Sequence, residues 1–384
     1  MDSPAEKPKL DLQINKILEA AAREGASDIH FKSGMKPYFR VQGQLKEIKT
    51  SPLESVTVHN IIKAILPENL EIKFQEENNV DSSLDFTLSN GTHQRFRINV
   101  ARGRTGNSEG PYVVLRVIPQ KILDVKDIGF PFNVWENIID LQQGLVLVTG
   151  ETGSGKTTTL ASLVQEINNT RAEHIITIED PIEYTHPPIR SIISQRELGI
   201  HVKSFADGVK YSLRQDPDIV LVGEIRDEET GRKALEATST GHLVFSTLHT
   251  KNAPETVSRY VNIFQPEDHS NIRDLLAANL SYVLCQQLIP YQKGVGRVLA
   301  MEVMNVTDSP AIKKHIRDGE YHHILSAMQI GTNLKMITME ARLEQLCSEG
   351  KISTERAIAY AHSQESMRKK LYGHSYLISA AVSH

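Results

Sequence analysis

The sequence has 384 residues, 40% hydrophobic and 23% charged, which is enough for two or three globular domains with sizeable cores. A formal net charge of −4 gives no reason to expect a nucleic-acid partner. A polar start without a signal peptide, apolar runs far shorter than the roughly 20 residues of a membrane span, and two distant cysteines favour a soluble protein of a reducing cytoplasm.

The first 117 residues predict a small α+β domain. Apolar side chains recur at helical spacing between Leu10 and Glu24, and Gly25 follows where helices commonly end. Residues 38–45 predict two strands around a Gln-Gly turn, and Asn90-Gly91 is typical of a hairpin turn. The strands of this second hairpin are expected at 83–88 and 94–100.

A linker and a second domain are predicted after this point. Residues 118–131 contain two prolines and a glycine with little periodicity, which indicates the linker. From residue 132, short apolar runs alternate with helical segments, a pattern typical of a mainly parallel, covered sheet. The runs lie at 145–149, 175–178, 219–222 and 243–246. The domain is expected to span 132–384, with a helical C-terminal region from about Asp308.

A phosphate-binding motif follows the first apolar run. Residues 150–157, Gly-Glu-Thr-Gly-Ser-Gly-Lys-Thr, fit G-x-x-x-x-G-K-[ST] in full, between a predicted strand and a predicted helix. Lys156 is expected to reach the β and γ phosphate oxygens of ATP, and the Thr157 hydroxyl to ligate Mg²⁺. The expected nucleotide-binding residues are Gly150, Thr152, Gly153, Ser154, Gly155, Lys156, Thr157 and Thr158.

Two further predicted strands end in residues that suit phosphate chemistry. Glu224 follows the strand Ile219–Val222, at the edge where parallel sheets bind ligands, and can face Mg²⁺ and its waters. His249 follows the strand that starts at Leu243 and is placed to contact a γ-phosphate, although a lone histidine is more often structural.

Three carboxylates follow the predicted strand at His174. Glu179, Asp180 and Glu183 lie within five residues, which is unfavourable unless a cation or a reaction uses them. One of them can orient or activate the attacking water. The alternative is a charged surface turn shaped by Pro181.

These motifs together resemble the Walker A, Asp, Walker B and His boxes of type IV pilus and type II secretion ATPases. The boxes lie at 150–157, 178–183, 216–227 and 240–250, and the resemblance extends upstream to 25–30 and 95–99. The resemblance implies a PAS-like N-terminal domain, a RecA-like P-loop ATPase domain and a ring of six. By position, Glu183 corresponds to the glutamate that activates water, Glu224 to the Walker B acid near Mg²⁺, and His249 to the His-box contact. Whether Glu183 or Glu224 is the base stays open.

Within the family, the sequence is most similar to PilT-like retraction motors of twitching motility. Extension and secretion motors usually carry an additional N-terminal region and a four-cysteine zinc insertion after the His box. Here Cys285 is alone in that region, and residues 288–296 are too few for the insertion. Residues 311–320 resemble the Ala-Ile-Arg-Asn-Leu-Ile-Arg-Glu segment of retraction motors. The segment departs from it at Lys313, Lys314, His315 and Asp318, which leaves open an accessory or specialised paralogue.

Two arginines of the N-terminal domain match family positions that reach a neighbouring subunit's nucleotide. They are Arg97, in the segment 95–99, and Arg116, just before the linker. An arginine can neutralise the charge that develops on a transferring phosphoryl group. Arg226 is a rival for this role, and the alternative for Arg97 and Arg116 is to solvate a sheet face or to pair with Asp85.

The leading hypothesis is therefore a hexameric, ATP-hydrolysing motor for type IV pilus retraction. It implies a cytoplasmic protein that is peripheral at the inner membrane. Its expected partners are further copies of itself in the hexamer, an inner-membrane platform protein of the pilus and, in one version, a paralogous motor ATPase. A nucleic-acid motor with the same core needs a basic channel with stacking aromatics, against which a net charge of −4 and 6% aromatic residues argue. A non-hydrolysing regulatory subunit would have damaged catalytic positions, yet Lys156, Glu183, Glu224 and His249 are all present.

Overall fold

The computed structural model describes residues 12–41, 44–105, 108–118 and 121–373. Contacts divide the chain into two compact units, one of residues 1–121 with 181–185 and the other of 122–180 with 186–384. Parts of the predictions lie outside the described residues: the helix start at Leu10, the turn at 42–43, Pro119 in the linker, and the tail beyond 373.

The described part of the first unit contains an antiparallel sheet and three helices. Its elements are α1 (Leu12–Glu24), β1 (Ala26–Lys32), β2 (Tyr38–Val41), β3 (Gln44–Glu47), α2 (Ser55–Ile65), α3 (Glu68–Glu77), β4 (Asn79–Thr87), β5 (His93–Thr105) and β6 (Ser108–Val117). The strand order is β3-β2-β1-β6-β5-β4. The predicted strand at 83–88 overlaps the C-terminal half of the longer β4 and ends one residue beyond it, and the one at 94–100 lies in the N-terminal half of β5, whereas β1, α2, α3 and β6 were not predicted.

One face of this sheet is buried under the helices and the other is polar. Along β5, Phe96, Ile98 and Val100 are buried while the residues between them are partly exposed, because alternate side chains of a strand point to opposite faces. On α1, the buried Ile14, Ile17, Leu18 and Ala21 recur at helical spacing and join the same core. Arg97 and Arg116 therefore lie on the polar face.

The second unit is an α/β layer structure around a mainly parallel sheet. Its elements up to the sheet's last strand are α4 (Val134–Ile139), β7 (Gly144–Thr149), α5 (Lys156–Thr170), β8 (His174–Glu179), β9 (Ile192–Glu197), α6 (Phe205–Ser212), β10 (Ile219–Val222), α7 (Glu228–Ser239), β11 (Leu243–Leu248), α8 (Ala253–Val261), α9 (His269–Asn279), β12 (Leu280–Pro290) and β13 (Arg297–Asn305). The helices that follow are α10 (Pro310–Asp318), α11 (Ile324–Ile330), α12 (Met339–Ser348), α13 (Thr354–Tyr360) and α14 (Gln364–Tyr372).

The sheet order is β13-β12-β7-β11-β10-β8-β9, and every neighbouring pair is parallel except β12–β13. The strands β7, β10 and β11 are buried along their whole length, because helices cover both faces. At the sheet's other end, β9 is an edge strand with Ile192 68% exposed. The mainly parallel sheet and the helical C-terminal region are as predicted.

Strand register places the ends of the central strands side by side. Leu248 of β11 pairs with Thr149 of β7, and Val222 of β10 pairs with Ser246 of β11. Because parallel strands end at one edge, the segments after β7, β10 and β11 emerge together. Among the described residues, no helix has the length and apolar character needed to cross a membrane.

Candidate functional site

The loop between β7 and α5 is built around glycines. Gly150 has a φ of 141°, and a Cβ there would lie 2.4 Å from the Gln286 carbonyl oxygen and 2.6 Å from the Ser154 Oγ. Gly155, with a φ of 90°, is the N-cap of α5. Only glycine fits such positions without strain, and the turn directs the first N–H groups of α5 towards the loop. The loop has the features of an anion cradle at a helix N-terminus.

Lys156 begins α5 and folds over this loop. Its Nζ donates hydrogen bonds to the carbonyl oxygens of Gly150, at 2.8 Å, and Glu151, at 3.1 Å. The ammonium group is thus held beside the backbone that would surround a phosphate. Thr157 and Thr158, in the first turn of the helix, are half-buried, while Thr152 and Gly153 are exposed on the loop.

Gln286 of β12 supports the loop through its contact with Ser154. The Gln286 Nε2 donates to the Ser154 carbonyl oxygen at 2.8 Å, and Gln286 is only 1% exposed on β12. The Ser154 Oγ is buried without a hydrogen-bond partner, a state that usually signals a missing ligand or strain. Sequence reasoning missed Gln286; the one signal was a glutamine pair, Gln286-Gln287, that interrupts an apolar run.

Glu224 and His249 meet at the same sheet edge. Glu224 lies two residues beyond β10, and His249 directly follows β11. The His249 Nε2 is 3.3 Å from the Glu224 Oε1, and the Arg226 Nη2 is 2.7 Å from the Glu224 Oε2. The hydrogen bond to Glu224 raises the pKa of the Arg226 guanidinium, as does the nearby Asp180 charge. Arg226, the rival arginine finger, therefore pairs with an acid of its own chain.

Hydrogen bonds between neighbouring strand ends hold this acid in place. The Gly223 N–H donates to the Ile178 carbonyl oxygen at 2.8 Å, and the Thr247 Oγ1 donates to the Gly223 carbonyl oxygen at 2.7 Å. The Ile225 N–H donates back to the Thr247 carbonyl oxygen at 3.2 Å. The backbone on both sides of Glu224 is thus fixed, a role of Thr247 that the sequence did not reveal.

The carboxylates that the sequence groups after β8 belong to different compact units. Glu179 ends the strand and accepts from the Thr177 Oγ1 at 2.6 Å and the Gln195 Nε2 at 3.1 Å, so it is tied into the sheet. Glu183 belongs to the first unit, where its Oε1 lies 4.0 Å from the Arg97 Nη1.

Arg97 and Arg116 are direct cross-strand neighbours on the polar face of the first unit's sheet. They face each other across β5 and β6, and Asp28 of β1 faces Arg116 in turn. The Arg116 Nε donates to the Asp28 Oδ1 at 3.0 Å. Like charges directly opposite each other are destabilising, and this repulsion is offset by Asp28 beside Arg116 and by Glu183 at 4.0 Å from Arg97. The arginine that pairs with Asp85 is instead Arg95.

Comparison with known proteins places this site in a family. The family model described as Type II/IV secretion system protein matches residues 4–370. The chain belongs to this family. It is 41% identical over 346 residues to the type IV pilus retraction ATPase PilT of Pseudomonas aeruginosa, covering 90% of this chain and 97% of that relative. It is also 40% identical over 331 residues to a twitching motility protein of Neisseria gonorrhoeae, covering 86% of each.

A solved structure extends the likeness to the fold. The crystal structure of the pilus retraction motor PilT with bound ADP superposes with a TM-score of 0.82 at 39% identity, covering 92% of this chain and 98% of that chain. The predicted class, an α+β N-terminal domain followed by a RecA-like ATPase domain, is confirmed. This member of the Type II/IV secretion family is a nucleotide-using P-loop ATPase.

Proposed function

We propose that this chain is the subunit of a hexameric motor that hydrolyses ATP to power type IV pilus retraction in twitching motility. The observation that carries the proposal is the length-wide similarity to retraction ATPases in a chain that keeps its phosphate loop, Glu224 and His249. The motor acts in the cytoplasm, at the inner membrane, on the platform protein of the pilus machine. A paralogous motor ATPase is a further partner in this proposal, and a nucleic acid is not.

The proposal assigns Mg²⁺ as well as ATP to the site. Lys156 and the loop N–H groups hold the phosphates, while the Thr157 hydroxyl and the Glu224 carboxylate supply oxygen ligands of the kind that Mg²⁺ prefers. The glycine cradle and the unpartnered Ser154 hydroxyl support an oxygen-rich ligand here. Held by Thr157 and Glu224, Mg²⁺ would supply positive charge that offsets the negative charge of the phosphates.

The remaining roles are divided between the two acids and the histidine. Glu183 or Glu224 accepts the proton of the attacking water, and His249 responds to loss of the γ-phosphate through its contact with Glu224. In this motor, residues 1–117 form the PAS-like domain, 118–131 the linker and 132–384 the ATPase domain.

The active site is proposed to be shared, with Arg97 and Arg116 acting on the nucleotide of a neighbouring subunit. The support is their cross-strand position, because two facing positive charges repel each other and a bound anion would reduce that repulsion. The Arg116 side chain is 64% exposed and so accessible to a partner.

Mixed rings test the sharing. An Arg97→Ala, Arg116→Ala double variant and a Lys156→Ala variant should each be inactive alone, since each lacks half of the site. Mixtures should recover measurable phosphate release, because some intact arginines then face intact phosphate loops. Arg104→Ala, an exposed arginine of the same strand β5, is the matched control and should keep full activity.

Mass spectrometry must show that the rings contain both subunits. Mixed rings without recovery argue against sharing, and a fully active double variant removes the arginines from the mechanism.

Pilus imaging tests the direction of the motor. In the host bacterium, a chromosomal deletion should abolish twitching while surface pili remain or accumulate, because assembly continues without retraction. Electron microscopy of pili and the diameter of the twitching zone give the two readouts, and the wild-type gene on a plasmid should restore both. Loss of pili would identify an assembly motor, and unchanged twitching would reject the proposal.

A further inference from the structure

A buried polar row crosses the sheet of the second unit at the end of β7. In register, Thr149 of β7 pairs with Cys285 of β12, and Cys285 pairs with Glu302 of β13. All three residues have 0% relative exposure. The Thr149 Oγ1 donates to the Cys285 Sγ at 3.0 Å. Thr149 directly precedes Gly150, so one end of the row is the root of the phosphate loop.

Glu302 joins the first residues of two helices. Its Oε1 accepts from the Ala253 N–H of α8 at 2.7 Å, and its Oε2 accepts from the Met339 N–H of α12 at 3.1 Å. N–H groups in a helix's first turn have no partner within the helix, and the helix dipole favours negative charge there. One carboxylate therefore satisfies both helix ends in a site without water access.

The row also reaches the segment that carries His249. Thr256 of α8 has its Oγ1 2.7 Å from the Thr250 Oγ1 and 3.8 Å from the Cys285 Sγ. Thr250 directly follows His249. The row thus contacts the root of the phosphate loop, the residue after His249, and the start of the α12–α14 region.

We propose that Glu302 is a positioning residue for ATP hydrolysis: its carboxylate holds the His249 segment in place beside the phosphate loop and ties both to α12. Small displacements of a reacting group can cost about 100-fold in rate, so a buried anchor of this kind is expected to affect turnover. The inference depends on ATP hydrolysis by this chain and is independent of the pilus as its load.

The charge on Glu302 provides a readout for this role. Burial raises its pKa to about 7, while the Ala253 and Met339 N–H groups lower it, Glu340 of α12 raises it and the Cys285 thiol lowers it. Glu255 of α8 is the further charge near Cys285. Because the folded-state pKa is raised, stability is highest below the ordinary glutamate range and falls as pH rises through about 7. The ionised form positions the helices at the expense of stability.

Glu302→Gln is the direct test. At pH 8 we expect kcat about 10-fold below wild type with KM for ATP within twofold, because binding residues are untouched while His249 loses its anchor. The wild-type kcat should fall towards the variant's value as pH drops through about 7. The kcat of the variant should not show this fall at low pH, which we call the acidic limb. Its melting temperature should also stay constant between about pH 5 and 7.5, where that of the wild type declines. A lower melting temperature with unchanged kcat and an unchanged acidic limb would show a merely structural role and overturn the proposal.

If Glu302→Gln does not fold, two variants that keep Glu302 test its positioning role. Cys285→Ala removes a hydrogen bond that lowers the pKa of Glu302, so the limb should move to higher pH. Glu340→Gln removes a charge that raises it, so the limb should move to lower pH. Glu344→Gln, which pairs with Lys370 on the surface of α12, is the control and should leave the limb in place. Identical limbs in the first two variants would overturn the proposal.

Discussion

Lys156→Ala is expected to lower the rate of ATP hydrolysis by 100- to 1000-fold with the fold intact. The Lys156 ammonium is hydrogen-bonded to the Gly150 and Glu151 carbonyl oxygens. From this position it can stabilise the negative charge that develops on the phosphates during hydrolysis. Removal of one such donor typically costs about 3–4 kcal/mol of transition-state stabilisation. Alanine is a good helix former in the first turn of α5, so secondary structure should be unchanged. Phosphate release at saturating ATP, with circular dichroism and gel filtration, gives the comparison.

The matched control is Lys369→Ala, which removes an exposed helical lysine paired with Glu365 on the surface. Exposed ion pairs contribute little to stability, so this variant should hydrolyse ATP at the wild-type rate. Lys156→Ala activity within threefold of wild type would reject the phosphate-loop assignment.

Glu224→Gln should slow turnover by at least about 100-fold while nucleotide still binds. Glutamine preserves the size and one oxygen of the side chain, but it has no charge for the metal and no basicity for water. Its contacts change as well, since the ion pair with Arg226 at 2.7 Å becomes a hydrogen bond from the charged guanidinium to a neutral amide oxygen. Single-turnover hydrolysis and titration with a fluorescent ADP analogue separate the two effects.

Glu236→Gln on α7 is the control for this substitution, because its carboxylate pairs with Lys233 on the surface. Glu183→Gln belongs in the same series. If both acids act, the base is the one whose loss abolishes the chemical step at every Mg²⁺ concentration, whereas excess Mg²⁺ should partly restore a variant that lost a metal ligand. Normal turnover in either variant removes that acid from the catalytic set.

The parts of the fold that the sequence predicted are those with strong local patterns. Fully buried parallel strands have continuous apolar runs, which is why β7, β10 and β11 were recognisable. β9 was missed because four of its six residues, Ser-Gln-Arg-Glu, are polar, as suits an edge strand. β5 continues to Thr105 through Arg102, Gly103 and Arg104, so only its N-terminal half, where apolar and polar residues alternate, was predicted.

The site divides in the same way. The phosphate loop is contiguous and needs only its neighbouring strand and helix as context. Gln286 and Glu302 act through contacts 132 and 49 residues away in sequence, which depend on strand register that no local pattern specifies. Glu224 and Arg226 are close in sequence, yet their spacing does not predict the ion pair. An arginine two residues after an acid can equally face solvent or another subunit. Only the side-chain positions distinguish these cases.

The open edge at β9 has a consequence for how the protein behaves when it is stressed. An edge strand presents unpaired backbone groups that another chain can extend, and the 68% exposed Ile192 adds an apolar contact for such pairing. Arg196, which is partly exposed, follows in the same strand and places charge next to the apolar residues, as gatekeepers do. Partly unfolded copies should therefore begin to aggregate along β9, at a rate that increases as salt screens the Arg196 charge.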